Sequence, residues 1–143
     1  MSEIFWNPLA PELTVADFAR SLDFYTRLLG FTVRYSRSEP DFAYLDRGGA
    51  QLMIEERHDG NWEVATLEAP FGRGINFTIE MTDVDACCQR VLAAGWPLFR
   101  PLRDTSYPVG KHEESVMREF LLQDPDGYLL RPSQYLEKRA RRN

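Results

Sequence analysis

The side chains of this chain that could do chemistry are few and scattered. Its two histidines, His58 and His112, lie in polar stretches without apolar periodicity, so each reads as a surface residue. His112, within Gly110-Lys-His-Glu113-Glu114, is also placed to serve as an acid or base on a lid, because imidazole titrates near neutral pH. The only cysteines are neighbours, Cys87-Cys88, in a stretch of helical periodicity, where adjacent residues face different ways. The reading is one core thiol beside one partly exposed thiol, with redox or nucleophilic chemistry as the alternative. No Ser-His-Asp set and no glycine-rich phosphate loop is present. What remains is a group of polar side chains on strand-like stretches: Glu12, Thr14, Gln51, Met53, Asn76, Thr78 and Arg131. Aromatic candidates for stacking on a flat molecule are Phe42, Tyr44, Trp62, Trp96, Phe99 and Tyr107, several of which must serve the core.

The elements that must position these residues form a repeat. Asp17-Phe18-Ala-Arg-Ser-Leu22-Asp-Phe-Tyr25-Thr-Arg-Leu28-Leu29-Gly30 returns in weaker form as Asp83-Val84-Asp-Ala-Cys87-Cys88-Gln-Arg-Val91-Leu92-Ala-Ala-Gly95. Each copy opens on an aspartate able to cap a helix and closes on a glycine able to take the left-handed conformation. Between them apolar residues recur at helical spacing. Pro11 to Val15 alternates as a strand with Leu13 and Val15 inward, and Phe31 to Tyr35 alternates after the helix. A polar break over 36–41 precedes a hairpin of Phe42–Leu45 and Ala50–Glu55, turned at Gly48-Gly49. The second copy repeats the order: Ile75 to Glu80 with Ile75, Phe77 and Ile79 inward, the helix, a strand beginning at Pro97, a polar loop over 104–114, and a hairpin of Met117–Leu122 and Tyr128–Arg131 turned at Asp124-Pro-Asp-Gly127. The organisation expected is a first module over 1–56, a connector over 57–74, a second module over 75–135 and a basic tail over 136–143, in one structural domain.

Composition narrows the function classes. The net charge is −5, but Lys138, Arg139, Arg141 and Arg142 against Glu137 give the tail +3 and leave the first 135 residues at −8. An acidic body suits neutral or cationic small molecules better than a phosphate backbone, and the short basic tail reads as solvated and mobile. No apolar run is long enough to span a bilayer, and the first residues lack the features of a secretory signal. No nucleic-acid or membrane partner is expected, and the location expected is cytoplasmic.

The paired modules, the Asp17-to-Phe31 stretch and Asp124-Pro-Asp-Gly-Tyr-Leu-Leu-Arg131 resemble the glyoxalase, bleomycin-resistance and extradiol-dioxygenase superfamily over nearly the whole chain. The resemblance implies an α+β fold of two βαβββ modules, with curved mixed sheets around a shared cavity and helices outside. It also implies where metal-dependent relatives would place their ligands: seven residues before each capping aspartate and four after each hairpin glycine. Those positions are Ala10, Asn76, Met53 and Arg131. Such ligands are His, Glu or Gln; a methyl, a weak amide, a soft thioether and a permanent cation are poor substitutes, so neither metal nor other cofactor is expected.

By the same resemblance, Glu12, Thr14, Gln51, Met53, Asn76, Thr78 and Arg131 should line the cavity. Arg131 should pair with Glu12, Glu55, Glu119 or an acidic ligand group. Loss of the metal ligands with an arginine after Asp-Pro-Asp-Gly is similar to bleomycin-resistance proteins, which implies a dimeric, drug-sequestering binder for a cationic aromatic ligand. Trp62, Trp96, Phe99 and Tyr107 are then the stacking candidates. The alternative is a metal-independent lyase or isomerase using Glu119, His112 or Tyr107 for proton transfer. A third reading is a subunit whose cavity is filled by its own side chains. A homodimer is expected because half-open sheets leave edges, and Pro8 and Pro11 stiffen a segment that could cross to a partner.

Overall fold

The computed structural model describes residues 5–142. The chain divides into two units, residues 1–71 with 124–127 and residues 72–123 with 128–143. The first unit is built from β1 (Glu12–Val15), α1 (Phe18–Asp23) running into a π-helical turn (Phe24–Leu28), β2 (Thr32–Arg37), β3 (Phe42–Arg47) and β4 (Ala50–Glu56). The second is built from β5 (Asn76–Glu80), α2 (Val84–Ala93), β6 (Arg100–Pro108), β7 (Glu113–Gln123) and β8 (Leu129–Ala140). The βαβββ order is therefore present twice. Each sheet is mixed, in order β1-β4-β3-β2 and β5-β8-β7-β6, with the first strand parallel to the last of its module and the other pairs antiparallel.

The first core follows from the alternation of its strands. Leu13, Val15, Ala43, Leu45, Leu52 and Ile54 are buried, as are Phe24, Tyr25, Leu28 and Leu29 from the helical segment. Asp17 caps α1, its Oδ1 accepting from the Arg20 N–H at 3.1 Å. The single helix expected here changes character midway: the Leu29 N–H bonds to the Phe24 carbonyl, five residues back, at 3.2 Å. Adjacent pairs Phe24-Tyr25 and Leu28-Leu29 are thereby all buried, which regular helical spacing does not announce.

The Asp124–Gly127 turn belongs to this first unit although it joins β7 to β8. The Tyr25 hydroxyl donates to Asp124 Oδ2 at 2.7 Å, the Ala16 N–H to Asp126 Oδ1 at 3.2 Å, and the Phe71 N–H to the Asp126 carbonyl at 2.8 Å. Gly127 has φ 102°, and a Cβ there would lie 2.4 Å from Pro70 Cβ, so only glycine fits.

In the second unit Val84, Cys87, Cys88 and Val91 of α2 are buried, together with Ile79, Phe120, Leu122 and Leu130 from the sheet. Several expectations are corrected here. Cys88 is buried like Cys87, because the apolar face of α2 is wide enough to cover both thiols; burial, then the nearby Asp85 charge, pushes the Cys88 thiol up. Asp83 makes no side-chain cap; the Val84 N–H is met instead by Gln134 Oε1 at 3.2 Å. Ile75 lies outside β5 and is 49% exposed rather than inward. The polar loop expected over 104–114 is largely β6 and β7, which pair from Pro108↔Glu114 onward through their charged residues. The basic tail is not a loose end: β8 runs to Ala140, Lys138 bridges Glu113 at 2.8 Å and Arg139 bridges Glu114 at 2.8 Å. Two of the tail's four cations thus meet acidic residues of the stretch expected as a loop, and Arg141 donates to the Gly110 and Lys111 carbonyls.

Candidate functional site: two sheet faces

In the first unit, the sheet face opposite Leu13, Leu52 and Ile54 carries a cluster of aromatic side chains. Register sets its rows. Tyr35, Tyr44, Met53 and Glu12 lie side by side across four strands, and Arg37, Phe42, Glu55 and Thr14 form the next row. Tyr35 and Tyr44 are stacked, with centroids 5.5 Å apart at 17°. Trp6 stands edge-on to both, at 5.8 Å and 4.9 Å, and the Arg37 guanidinium lies 4.1 Å from the Phe42 centroid. Trp6 and Tyr35 are 48% and 40% exposed, so this wall is open on one side.

Of the residues expected to serve a ligand here, Glu12, Thr14, Phe42, Tyr44 and Met53 lie on this face. Trp6 and Tyr35 escaped the sequence reading. Trp6 precedes any periodic element, and a β-bulge between Val33 and Tyr35 puts those two residues on opposite faces, where simple alternation puts them together. Trp62 is 95% exposed in the connector and takes no part in the wall.

Gln51 is buried, and its amide is spent inside the protein. Oε1 accepts from the Asn7 N–H at 2.9 Å and the Tyr44 hydroxyl at 2.6 Å. Nε2 donates to the Phe5 carbonyl at 2.5 Å and to Asp46 Oδ2 at 2.8 Å. Expected as a ligand contact, it fastens the segment bearing Trp6 to the sheet. Glu12 lies diagonally across from Glu55. Burial first, then the hydrogen bond and charge of Glu55, push the Glu12 carboxyl above its ordinary value, against the lowering charge of Arg37. Glu55 also lies 3.5 Å from His58 Nε2 and accepts from Asn61 Nδ2 at 3.4 Å, so half-buried His58 belongs to this carboxyl cluster and is not simply on the surface.

The corresponding face of the second unit is polar. Glu119, 1% exposed, accepts from Arg100 Nη2 at 3.0 Å on Oε1, from the Tyr107 hydroxyl on the same oxygen, and from the Ser133 hydroxyl at 3.2 Å on Oε2. The structure thus brings Glu119 and Tyr107 together. It does not add His112, which is exposed in the turn before β7. Arg131 donates from Nε and Nη2 to Thr78 Oγ1, at 3.0 and 2.7 Å, and among the described residues it has no carboxylate partner; the pairing expected with Glu12, Glu55 or Glu119 is replaced by a neutral hydroxyl one strand away. Asn76 is exposed at the start of β5. Phe99 is 65% exposed, and half-buried Trp96 donates its indole N–H to the Gln123 carbonyl at 2.8 Å.

The four positions at which metal-dependent relatives hold their ligands do not suit a divalent ion. Ala10 offers a methyl, Met53 faces Glu12 with a thioether, Asn76 is an exposed amide, and the Arg131 guanidinium is bonded to Thr78. Among the described residues no three His, Cys, Asp or Glu side chains come together as a metal site. Among them, too, no helix is long and apolar enough to cross a membrane.

A sequence profile of the Glyoxalase/Bleomycin resistance protein/Dioxygenase superfamily matches residues 7–131. No curated protein matches the chain significantly. Among solved structures, TioX from Micromonospora sp. ML1 is 25% identical, with a TM-score of 0.64, covering 92% of this chain and 98% of its own. A glyoxalase/bleomycin resistance protein/dioxygenase from Alicyclobacillus acidocaldarius is 25% identical with a TM-score of 0.60, covering 92% and 93%. The virulence protein STM3117 from Salmonella typhimurium, 18% identical with a TM-score of 0.67 over 94% and 100%, shares the fold.

Proposed function

Because the chain belongs to the glyoxalase/bleomycin resistance protein/dioxygenase superfamily, we propose that it is a metal-free small-molecule binder that sequesters a planar, cationic aromatic ligand and releases it unchanged. The observation that carries this reading is the open wall of Trp6, Tyr35 and Tyr44 beside the Glu12–Glu55 carboxyl pair. Stacking on such a wall requires no reacting group, and the neighbouring carboxyl groups give a ligand cation a partner of opposite charge. The −8 charge of residues 1–135 draws cations to the protein. A bleomycin-type glycopeptide has the chemistry required, and resistance by sequestration inside the cell, by a homodimer, is the corresponding biological role.

The test is a titration of bleomycin-type compounds against tryptophan fluorescence, followed by recovery of the ligand for mass analysis. Saturable, salt-weakened binding with an unaltered ligand is expected; a chemically altered ligand refutes the reading. Metal analysis of protein purified without chelators should find no stoichiometric Zn, Fe, Mn or Ni. One tightly held metal per chain, lost together with binding on dialysis, would end the metal-free reading.

The second reading, a metal-independent lyase or isomerase, is favoured by one contact, that of the Tyr107 hydroxyl with buried Glu119. Three donors already occupy this carboxylate, which suits a positioning network better than a base waiting for a substrate proton. Turnover without added metal, abolished in Tyr107→Phe while binding persists, would put the enzyme in place of the binder.

A further inference from the structure

The second unit's polar face has more donors than acceptors. Three arginines reach it: Arg131 from β8, and Arg100 and Arg103 from β6. An irregularity in the β6–β7 register between Arg100 and Arg103 allows residues an odd number apart to share one side; Arg100 bonds Glu119, and Arg103 is Glu119's cross-strand partner. Against them stand Glu119, already holding three donors, and Glu80 at the far edge of the row formed with Ser133 and Glu119. Among the described residues, Arg131 is met by the Thr78 hydroxyl alone and Arg103 by no hydrogen bond or ion pair. The deficit extends inward: Arg100 Nε and Thr105 Oγ1 are buried without a hydrogen-bond partner among the described residues. A guanidinium offers several N–H donors and no acceptor and cannot shed its charge. Among the described residues the sheet supplies no further acceptor, so solvent or a bound molecule has to meet these donors.

We propose that this face, centred on Arg131 and flanked by Arg103, is a subsite for an organic carboxylate. The planar fork of arginine matches a carboxylate in two parallel bonds, and Thr78 holds the Nε–Nη2 side of the Arg131 fork, leaving Nη1 and the second N–H of Nη2 to the ligand. A singly charged carboxylate is favoured over a doubly charged phosphate because Glu119 and Glu80 share the face and the chain as a whole is acidic. The subsite depends on the second unit alone and holds whether the bound molecule is released unchanged or turned over.

The experiment compares 2-naphthoate with 2-naphthamide, the same ring system bearing a neutral group, by calorimetric titration of the intact protein at low salt. The carboxylate should bind about tenfold tighter than the amide, the advantage should shrink to about twofold in Arg131→Gln, and Arg103→Gln should remove part of it. Both variants replace accessible side chains, and a melting curve matching the parent confirms that each is folded. Equal binding of acid and amide, no binding of naphthoate, or a preference that survives both substitutions overturns the subsite. Tighter binding of 2-naphthyl phosphate than of naphthoate overturns the carboxylate assignment in favour of a phosphate.

Discussion

The two sheets descend through the same βαβββ order, yet their corresponding faces have opposite chemistry. Met53 and Arg131 hold matching places, each across from a first-strand residue, Glu12 in one unit and Thr78 in the other. Around Met53 the face is aromatic, with Tyr35, Tyr44 and Trp6; around Arg131 it is ionic, with Glu119, Arg100 and Arg103. The difference teaches that the backbone register of this module constrains only where side chains stand, not what they do. Once a repeated strand position carries neither histidine nor carboxylate, each copy is free to take its own solution.

The strongest way to break the comparison is Glu119→Ala, which leaves Arg100, Tyr107 and Ser133 without their buried acceptor. It should cost about 3 kcal/mol or more in urea denaturation, because the Arg100 charge is left uncompensated beside the emptied site. A loss below about 1 kcal/mol would mean that the cluster is not the anchor of its face.

In the first unit the analogous experiment is Gln51→Ala, which removes four hydrogen bonds at once, to Phe5, Asn7, Tyr44 and Asp46. The expected cost is about 2 kcal/mol, smaller than for Glu119 because the lost group is neutral. Limited proteolysis should show earlier cleavage near residues 5–7, since those bonds hold that segment on the sheet. Unchanged cleavage would separate the amide from the placement of Trp6.

Trp6→Ala sharpens the comparison at the level of ligand binding. It should weaken a planar cationic ligand by about 1 kcal/mol, whereas Trp62→Ala should leave binding unchanged. The reverse order would move the stacking surface to the connector.

The smallest effect concerns pH. A carboxyl whose value is raised in the folded state stabilises the protein fully below its unfolded value and loses that contribution as pH rises through the raised value. Glu12→Gln should therefore be at least as stable as the parent at pH 7, with the gap closing as pH falls toward 4. Parallel stability curves across this range would remove the Glu12–Glu55 pair from the account.

The periodic elements of this fold were legible, because hydrophobic alternation and the paired aspartate and glycine signals act locally. Leu13, Val15, Leu52, Ile54 and Leu130 are buried as their spacing predicts. The site was legible only where alternation survives. Met53 stands with Glu12 and Thr14 on the face opposite Leu13 and Leu52 as alternation predicts, and register adds Phe42 and Tyr44 to it, while bulges hid the positions of Tyr35 and of Arg100 with Arg103. Gln51 and Glu119 were recognised as polar groups on strands, but their partners come from residues far away in the chain, which no local pattern specifies. The paired residues at the end of β8 were hidden for the same reason: Lys138 and Arg139 become strand residues only when Glu113 and Glu114 lie beside them.

The Asp124–Gly127 turn has a consequence for synthesis on the ribosome. The first unit, whose other residues end at 71, cannot close its structure when those residues leave the exit tunnel, because the acceptor for the Tyr25 hydroxyl is residue 124. Until most of the second half has been translated, α1 and the sheet beneath it wait with a buried phenol lacking that bond. The nascent chain should therefore gain protease resistance late and in a single step, rather than in two instalments matching its two repeats.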